Sequence, residues 1–221
     1  MDIRTAVKER RSIRKFKSDE VPQKIIREIL DEARWAPSWG NTQPWELYVV
    51  SGATLEKFKM ANRRKCLEEE AESTEIPIPQ VWPETLKKRY TGLGKSVLIS
   101  QSIGRGDIEA RNQYYGDMYF LFGAPCMILV CLDKGLVIEY AMLDAGIIIQ
   151  TICLLAEGKG LGSCILSAIT RYPALSRELL PIPENQIIIM GIALGYPDLD
   201  STVNNFKRER ADLDELVTWV G

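Results

Sequence analysis

Gly123-Ala124-Pro125-Cys126-Met127-Ile128-Leu129-Val130-Cys131-Leu132-Asp133-Lys134-Gly135 lies just past the middle of the chain. The unbroken apolar run from Cys126 to Leu132, between a proline entry and an Asp-Lys-Gly turn, predicts a strand buried on both faces; a half-exposed strand would alternate. Downstream, residues 139 to 157 are apolar on more than one face. That pattern predicts a helix buried in a core or at a subunit interface. Gly158-Lys159-Gly160-Leu161-Gly162 stops it. Ser163 to Leu166 then predicts a short strand and Pro173 to Leu180 a short helix. Gln186 to Leu194 predicts another apolar strand, closed by Gly195-Tyr196-Pro197. Strand runs are few and alternate irregularly with helices, which favours an α+β layered fold over a doubly wound sheet.

Working back toward the N-terminus, Trp45 to Val50 reads as a strand with Ser51-Gly52 as its turn. Residues 22 to 36 carry Ile25, Ile26, Ile29, Leu30 and Ala33 as one apolar stripe, with Pro22 suited to a first helical position and Pro37 as the stop. Residues 2 to 9 predict a helix capped by Asp2. Thr54 to Glu72 predicts a charged helix, and Pro77, Pro79 and Pro83 make residues 73 to 83 a loop. Residues 84 to 103 and 107 to 121 look helical but weakly amphipathic. The whole chain, 1–221, reads as one domain, with residues 73–120 as a lid-like excursion. Past Leu199 the tail is polar, then offers Leu213, Leu216, Val217 and Trp219.

Composition narrows the function. With 28 basic and 30 acidic residues the net charge is −2, which does not suggest a broad nucleic-acid-binding face. Charges interrupt residues 1 to 20, so no signal peptide is expected there, and the apolar runs read as too short to span a bilayer. Cys66, Cys126, Cys131, Cys153 and Cys164 form no Cys-x-x-Cys pair, and three lie in apolar runs. Reduced, buried thiols in a cytoplasmic protein are the expectation. There is no histidine. Ser-His-Asp and Cys-His catalysis are therefore excluded, as is any His-containing zinc site. An enzyme of this composition would take its hard chemistry from a cofactor.

Two segments carry that idea. Arg10-Arg11-Ser12-Ile13-Arg14 places three cations and a hydroxyl in five residues. Guanidinium forks and hydroxyls suit a phosphate monoester. In an extended segment Arg10, Ser12 and Arg14 would project to one side, and Arg11 and Ile13 to the other. Ala36-Pro37-Ser38-Trp39-Gly40-Asn41-Thr42-Gln43-Pro44-Trp45 offers amides and hydroxyls on a loop pinned by two prolines, suited to the edge of a heterocycle. Taken singly, the first is also an ordinary solvated basic turn and the second a helix exit. The glycines at 158 to 162 follow a helix and lead into a strand, the reverse of a dinucleotide fingerprint. Close backbone approach explains them better. Lys207, Arg208 and Arg210 make a basic patch in the tail.

In order and spacing these segments resemble the FMN-dependent nitroreductase family. The matching stretches are Arg10 to Phe16, Ala36 to Trp45, Gly123-Ala124-Pro125, Asp144 to Ala156 with Gly160-Leu161-Gly162, Gly191 to Pro197, and Arg210 to Trp219. The resemblance implies an α+β fold with a central, mostly antiparallel sheet flanked by helices. It also implies an intertwined homodimer whose C-terminal tail extends over the partner, with FMN at the interface. Arg10, Ser12, Arg208 and Arg210, with help from Arg11, would hold the FMN phosphate. Arg14 would lie toward the pyrimidine end of the flavin. Pro37, Ser38, Trp39 and Asn41 would come from the other subunit, and Leu166, Ser167 and Ala168 would run along the ring. Relatives often carry an acidic residue and a glycine where this chain has Ser167-Ala168.

The implied activity is NADH- or NADPH-driven reduction of nitroaromatics, quinones or related small acceptors, by a ping-pong hydride mechanism through flavin N5. No protein nucleophile, metal, nucleic acid or membrane is implied. Three alternatives stay open: other flavin chemistry on the same scaffold (ene reduction, dehydrogenation, flavin fragmentation), a non-catalytic flavin-binding protein, or an anion-binding module without flavin. Dehalogenation ranks low, because residues 73–120 show no Glu-Tyr-Lys clamp.

Overall fold

The computed structural model describes residues 1–221. In chain order the elements are α1 (Ile3–Glu9), α2 (Gln23–Ala33), β1 (Trp45–Ser51), α3 (Gly52–Leu67), α4 (Glu84–Ser100), α5 (Ile108–Tyr119), β2 (Cys126–Asp133), α6 (Ile138–Gly158), β3 (Gly162–Leu166), α7 (Pro173–Leu179), β4 (Gln186–Gly195), α8 (Thr202–Asn205) and α9 (Leu213–Leu216). Single 3-10 turns occupy Trp39–Asn41, Leu121–Gly123 and Ser167–Thr170.

The four strands form one sheet in the order β1-β2-β4-β3, and every pairing is antiparallel. β2 is buried from Cys126 to Leu132, as an apolar run without alternation requires. Met127, Leu129 and Cys131 face a core layer with Leu55 and Phe58 of α3 and Tyr119 of α5. Cys126, Ile128, Val130 and Leu132 face the opposite layer, with Ile29 of α2 and Ala145, Ile148 and Ile152 of α6. The chain is thus helices over both faces of an antiparallel sheet, an α+β architecture.

β4 does not keep a simple two-residue period. Its register against β2 jumps from Val130↔Met190 to Cys131↔Ile188, leaving Ile189 as the extra residue of a bulge. In consequence Ile188 packs in one layer while Ile192, four residues on, packs in the other.

Element ends follow local chemistry. Asp2 caps α1, accepting from the Arg4 and Thr5 backbone N–H groups at 3.0 and 3.2 Å. Pro22 is the N-cap of α2 rather than its first helical residue, and α2 stops at Ala33, before Pro37 acts, because the chain first turns through Arg34 and Trp35. Gly52 has φ +59° and so turns the strand end directly into α3. α3 ends at Leu67 rather than Glu72, with Glu69 left-handed at φ +52°.

α6 is 21 residues long and by length and composition would suffice to cross a bilayer, which reading its apolar runs one at a time misses. Its Ala141, Ala145, Ile148, Ile152 and Ala156 face is packed on the sheet, as befits a core helix. Its outer face is unusual. Tyr140, Leu143 and Ile147 lie on it, all exposed in the single chain.

Candidate functional site

The segment Arg10 to Lys17 is held by backbone bonds along the edge of the sheet. The Ile13 N–H donates to the Ser163 carbonyl at 2.9 Å, Phe16 to Phe122 at 3.2 Å and Lys17 to Tyr196 at 2.9 Å. Ser12 bridges Ser163 in parallel sense, and Phe16 bridges Pro197. The fit is close. A Cβ at Gly162 would stand 2.5 Å from Ile13 Cγ1, so only glycine lets the segment lie against β3 there. Gly160 makes the preceding turn at φ +76°.

The tail locks the same segment from the other side. Asn204 is buried, and its Oδ1 accepts the Arg14 backbone N–H at 2.7 Å. Its Nδ2 donates to the Lys15 and Asp198 carbonyls, each at 2.8 Å. The Asn204 carbonyl accepts from the Arg11 guanidinium, and Arg208 donates to the Lys8 and Arg10 carbonyls. Asn204 was not among the residues singled out in sequence. Its neighbours there gave only a basic patch, since all of its side-chain partners but Asp198 lie near the N-terminus.

These contacts shape a cavity of about 820 Å³. Arg10, Arg11, Ser12 and Arg14 form one wall, Phe206 to Arg210 another, and α4 from Thr85 to Ser96 a third. Ile13 points away into the core, as alternation predicts, but Arg11 does not follow it. The segment is a single bridge rather than a regular strand, and a long guanidinium stem bends round to the cavity side.

Eight cations line this space: Arg10, Arg11, Arg14, Lys88, Arg89, Lys207, Arg208 and Arg210, against Glu209 and Glu215. Of the ten ion pairs in the chain only one involves them, Arg89 with Glu215 at 2.9 Å. The rest repel one another. Burial, then the charges of Arg11, Arg210 and Arg10, hold Arg208 below the ordinary arginine range. Nε of Arg10 is buried without a hydrogen-bond partner. Behind them Glu157 is pushed up, first by burial and then by Glu9, with the arginines pulling the other way. Such a set of donors is built for a polyanion.

The remaining candidate residues lie elsewhere on the same chain. Pro37, Ser38, Trp39 and Asn41 belong to a strained loop with Gly40, Asn41 and Gln43 at φ +57°, +58° and +48°. The Ser38 hydroxyl accepts the Gln43 N–H at 2.8 Å. The loop is tied to α6, where buried Asp144 accepts the Trp39 N–H at 3.0 Å and Tyr140 packs at 6.3 Å from the Trp39 ring. Leu166 and Ala168 are buried and Ser167 is exposed, with its hydroxyl 3.4 Å from Arg171. Neither group lines the cationic cavity of its own chain. Lys88 and Arg89 of the third wall were not anticipated from sequence, because their helix is weakly amphipathic and its tail partner is 126 residues away.

Comparison with known proteins bears on this geometry. A family model described as the Nitroreductase family matches residues 7–196. A 4-nitrobenzoate reductase of Nocardioides sp. (strain LMS-CY) is 31% identical, over 97% of this chain and 88% of that one. Nitroreductase NfnB of Mycolicibacterium smegmatis is 30% identical, over 96% of this chain and 90% of that one. Among solved structures, the FMN-dependent nitroreductase NfnB from Mycobacterium smegmatis in complex with NADPH superposes with a TM-score of 0.93 at 29% identity, covering 99% of this chain and 97% of that one.

Proposed function

Because the chain belongs to the Nitroreductase family, we propose that it is an FMN-dependent oxidoreductase that uses NADH or NADPH to reduce nitroaromatics, quinones or related acceptors. The observation that carries the cofactor assignment is the cluster of unpaired guanidinium groups around Ser12. The orphaned Nε of Arg10 and the mutual repulsion felt by Arg208 fit a phosphate monoester, which carries close to two negative charges. When bound, FMN supplies the redox chemistry, taking hydride from the nicotinamide and passing electrons to the acceptor.

The chain's own residues bind and position. Arg10, Arg11, Ser12, Arg208 and Arg210 would neutralise the phosphate. Arg14, backed by Phe206 at 5.7 Å, would set a cation toward the ring, where it favours added negative charge. Leu166, Ser167 and Ala168 would follow the ring edge, with the Ser167-Ala168 pair leaving that contact to backbone groups.

A homodimer belongs to this reading. The apolar outer face of α6 supports it, since exposed Tyr140, Leu143 and Ile147 would be covered by a second copy. Pro37, Ser38, Trp39 and Asn41 would then reach the flavin of the partner subunit, and the tail beyond Arg210 would extend over it. Residues 1–221 would act as one domain, with the 73–120 region as a lid whose α4 already walls the cavity. Five free thiols support a reducing, cytoplasmic setting.

The test is anaerobic absorbance of the protein with FMN, before and after NADH and NADPH. A flavin spectrum that bleaches and is reoxidised by a nitroarene is expected. A bound flavin that neither donor bleaches would make the protein a non-catalytic binder, and no uptake of FMN would refute the cofactor assignment.

A further inference from the structure

Behind the turn Ser167–Thr170 runs a circuit of side chains with no part in the cationic cavity. Arg171 donates to the Ser167 hydroxyl at 3.4 Å and to Oε2 of Glu72 at 2.6 Å. The other oxygen of Glu72 accepts the Tyr119 hydroxyl. The Tyr119 carbonyl accepts from Nδ2 of Asn62 at 2.7 Å, and the same amide reaches the Ala168 carbonyl at 3.3 Å. The circuit thus starts on Ser167 and closes on its neighbour Ala168, after passing through the segment between α3 and α4, then α5, then α3. Within the turn the Thr170 hydroxyl donates to the Ser167 carbonyl at 3.0 Å. Ile169 packs so closely on β4 that a Cβ at Gly191 would stand 2.5 Å from its Cδ1.

Tethering alone does not require the Glu72–Arg171 pair. The segment that carries Glu72 is already tied down by backbone groups. The Ser73 N–H donates to the Arg171 carbonyl at 3.1 Å, and the Glu70 carbonyl accepts the Tyr172 hydroxyl at 3.2 Å. The pair also carries a cost, because Nε of Arg171 is buried without a hydrogen-bond partner. Burial, then the bond to Glu72, pushes the Tyr119 phenol up, so it stays a donor to that carboxylate. Ser167 is neutral, and the guanidinium beside it is half-buried, so bulk water screens that charge incompletely.

Resting on the flavin-reductase reading above, in which Leu166, Ser167 and Ala168 follow the ring edge, we propose that Arg171 and Glu72 are positioning residues for flavin reduction. They hold the turn against the ring and, as a pair of opposite charges behind Ser167, set the midpoint potential of the flavin. Removing the cation alone leaves the ring facing Glu72 and disfavours added negative charge. Removing the carboxylate alone leaves Arg171 unopposed and favours it.

The experiment is anaerobic, dye-coupled measurement of the midpoint potential of the FMN-loaded protein and its variants. Arg171→Met should lower the potential. Glu72→Gln should raise it by less, since Glu72 is the more exposed partner. The double variant should lie between Arg171→Met and wild type, and Arg171→Lys, which keeps the charge, should stay near wild type. Arg177→Met is the control. It breaks the similar pair with Glu75, whose arginine bonds to Ile182, Pro183 and Gln186 instead of the turn, and should leave the potential unchanged. Should Glu72→Gln not fold, the contrast between Arg171→Met and Arg171→Lys decides alone. Four results overturn the proposal and leave the flavin reading in place: shifts of the same sign in both single variants, an equal fall in Arg171→Lys and Arg171→Met, an Arg177→Met shift as large as that of Arg171→Met, or no shift with flavin bound. A protein that takes up no FMN overturns the flavin reading first and this one with it.

Discussion

Asn204 and Arg14 are 190 residues apart in sequence, and the side-chain oxygen of the first accepts the backbone N–H of the second at 2.7 Å. With its two amide donations to Lys15 and Asp198, Asn204 is the buried clasp between the C-terminal tail and the cationic segment.

Replacing Asn204 by alanine removes three side-chain hydrogen bonds and strands their backbone partners. At about 1 kcal/mol for each, the expected loss is roughly 3 kcal/mol of stability. FMN affinity should fall with it, because the clasp holds both cationic walls. Asn204→Asp keeps the acceptor but turns a carboxylate oxygen toward the Lys15 and Asp198 carbonyls in a buried site, so it should be no more stable than alanine. Urea unfolding with parallel flavin titration checks both, and a stable Asn204→Ala protein with undiminished flavin binding would contradict the clasp.

Arg210 offers a cleaner separation of binding from folding. Its guanidinium donates only to the carbonyl of Glu209, next to it in the chain, and forms no ion pair. Arg210→Ala should therefore weaken FMN by about tenfold and lessen the salt dependence of binding, while the melting temperature of the flavin-free protein stays the same or rises as repulsion eases. Equilibrium dialysis at two salt concentrations and a thermal melt test this.

Gly162 is required by closeness rather than by an unusual turn. Its added Cβ would meet Ile13 Cγ1 at 2.5 Å. Gly162→Ala should cost about 1–3 kcal/mol, the usual range for overpacking. Ile13→Ala removes the clashing atom, so the double variant should lose clearly less than the sum of the singles. Strict additivity in a double-mutant cycle would argue that the two do not touch.

Most of the fold could be read directly from the chain. The Cys126 to Leu132 run, the α2 stripe and the glycine stop after α6 depend on neighbours within a few residues, and those elements lie where periodicity put them. The site was legible in part. Arg10, Ser12, Arg14, Arg208 and Arg210 come together on one cavity, but Arg11 turned to the same side. Asn204 and Arg89 gave no signal because their meaning comes from residues more than a hundred positions away. Glu75 is similar. It accepts the Ile188 N–H and pairs with Arg177, each at 2.7 Å, and so ties the proline-rich loop to the sheet across a gap that sequence spacing does not reveal.

The buried thiols give a pH prediction. Burial pushes Cys126 and Cys131 up to about 12 and Cys164 to about 11, from an ordinary value of 9.0. Above about pH 9 the unfolded chain releases these protons while the folded chain keeps them. Their contribution is therefore intact below pH 9 and is lost as pH rises toward 12. Unfolding free energy should fall over that window, and a Cys126→Ala/Cys131→Ala protein should show a shallower decline. At pH 8 a thiol reagent should label half-buried Cys66 first and the other four only on unfolding.

The bulge at Ile189 acts like a frame marker in a written message. On either side of it the strand reads every second letter, but the frame changes as it passes, so Ile187 and Ile189 share a layer with Met190, Ile192 and Leu194. Deleting that one residue would leave a strand of the same composition and a tidier alternation. Each remaining residue would keep its layer and its partner on β2, and what would go is Ile189 from its layer together with the local bend and twist that one extra residue imposes. The information held there is one of shape, which no inventory of residue types records.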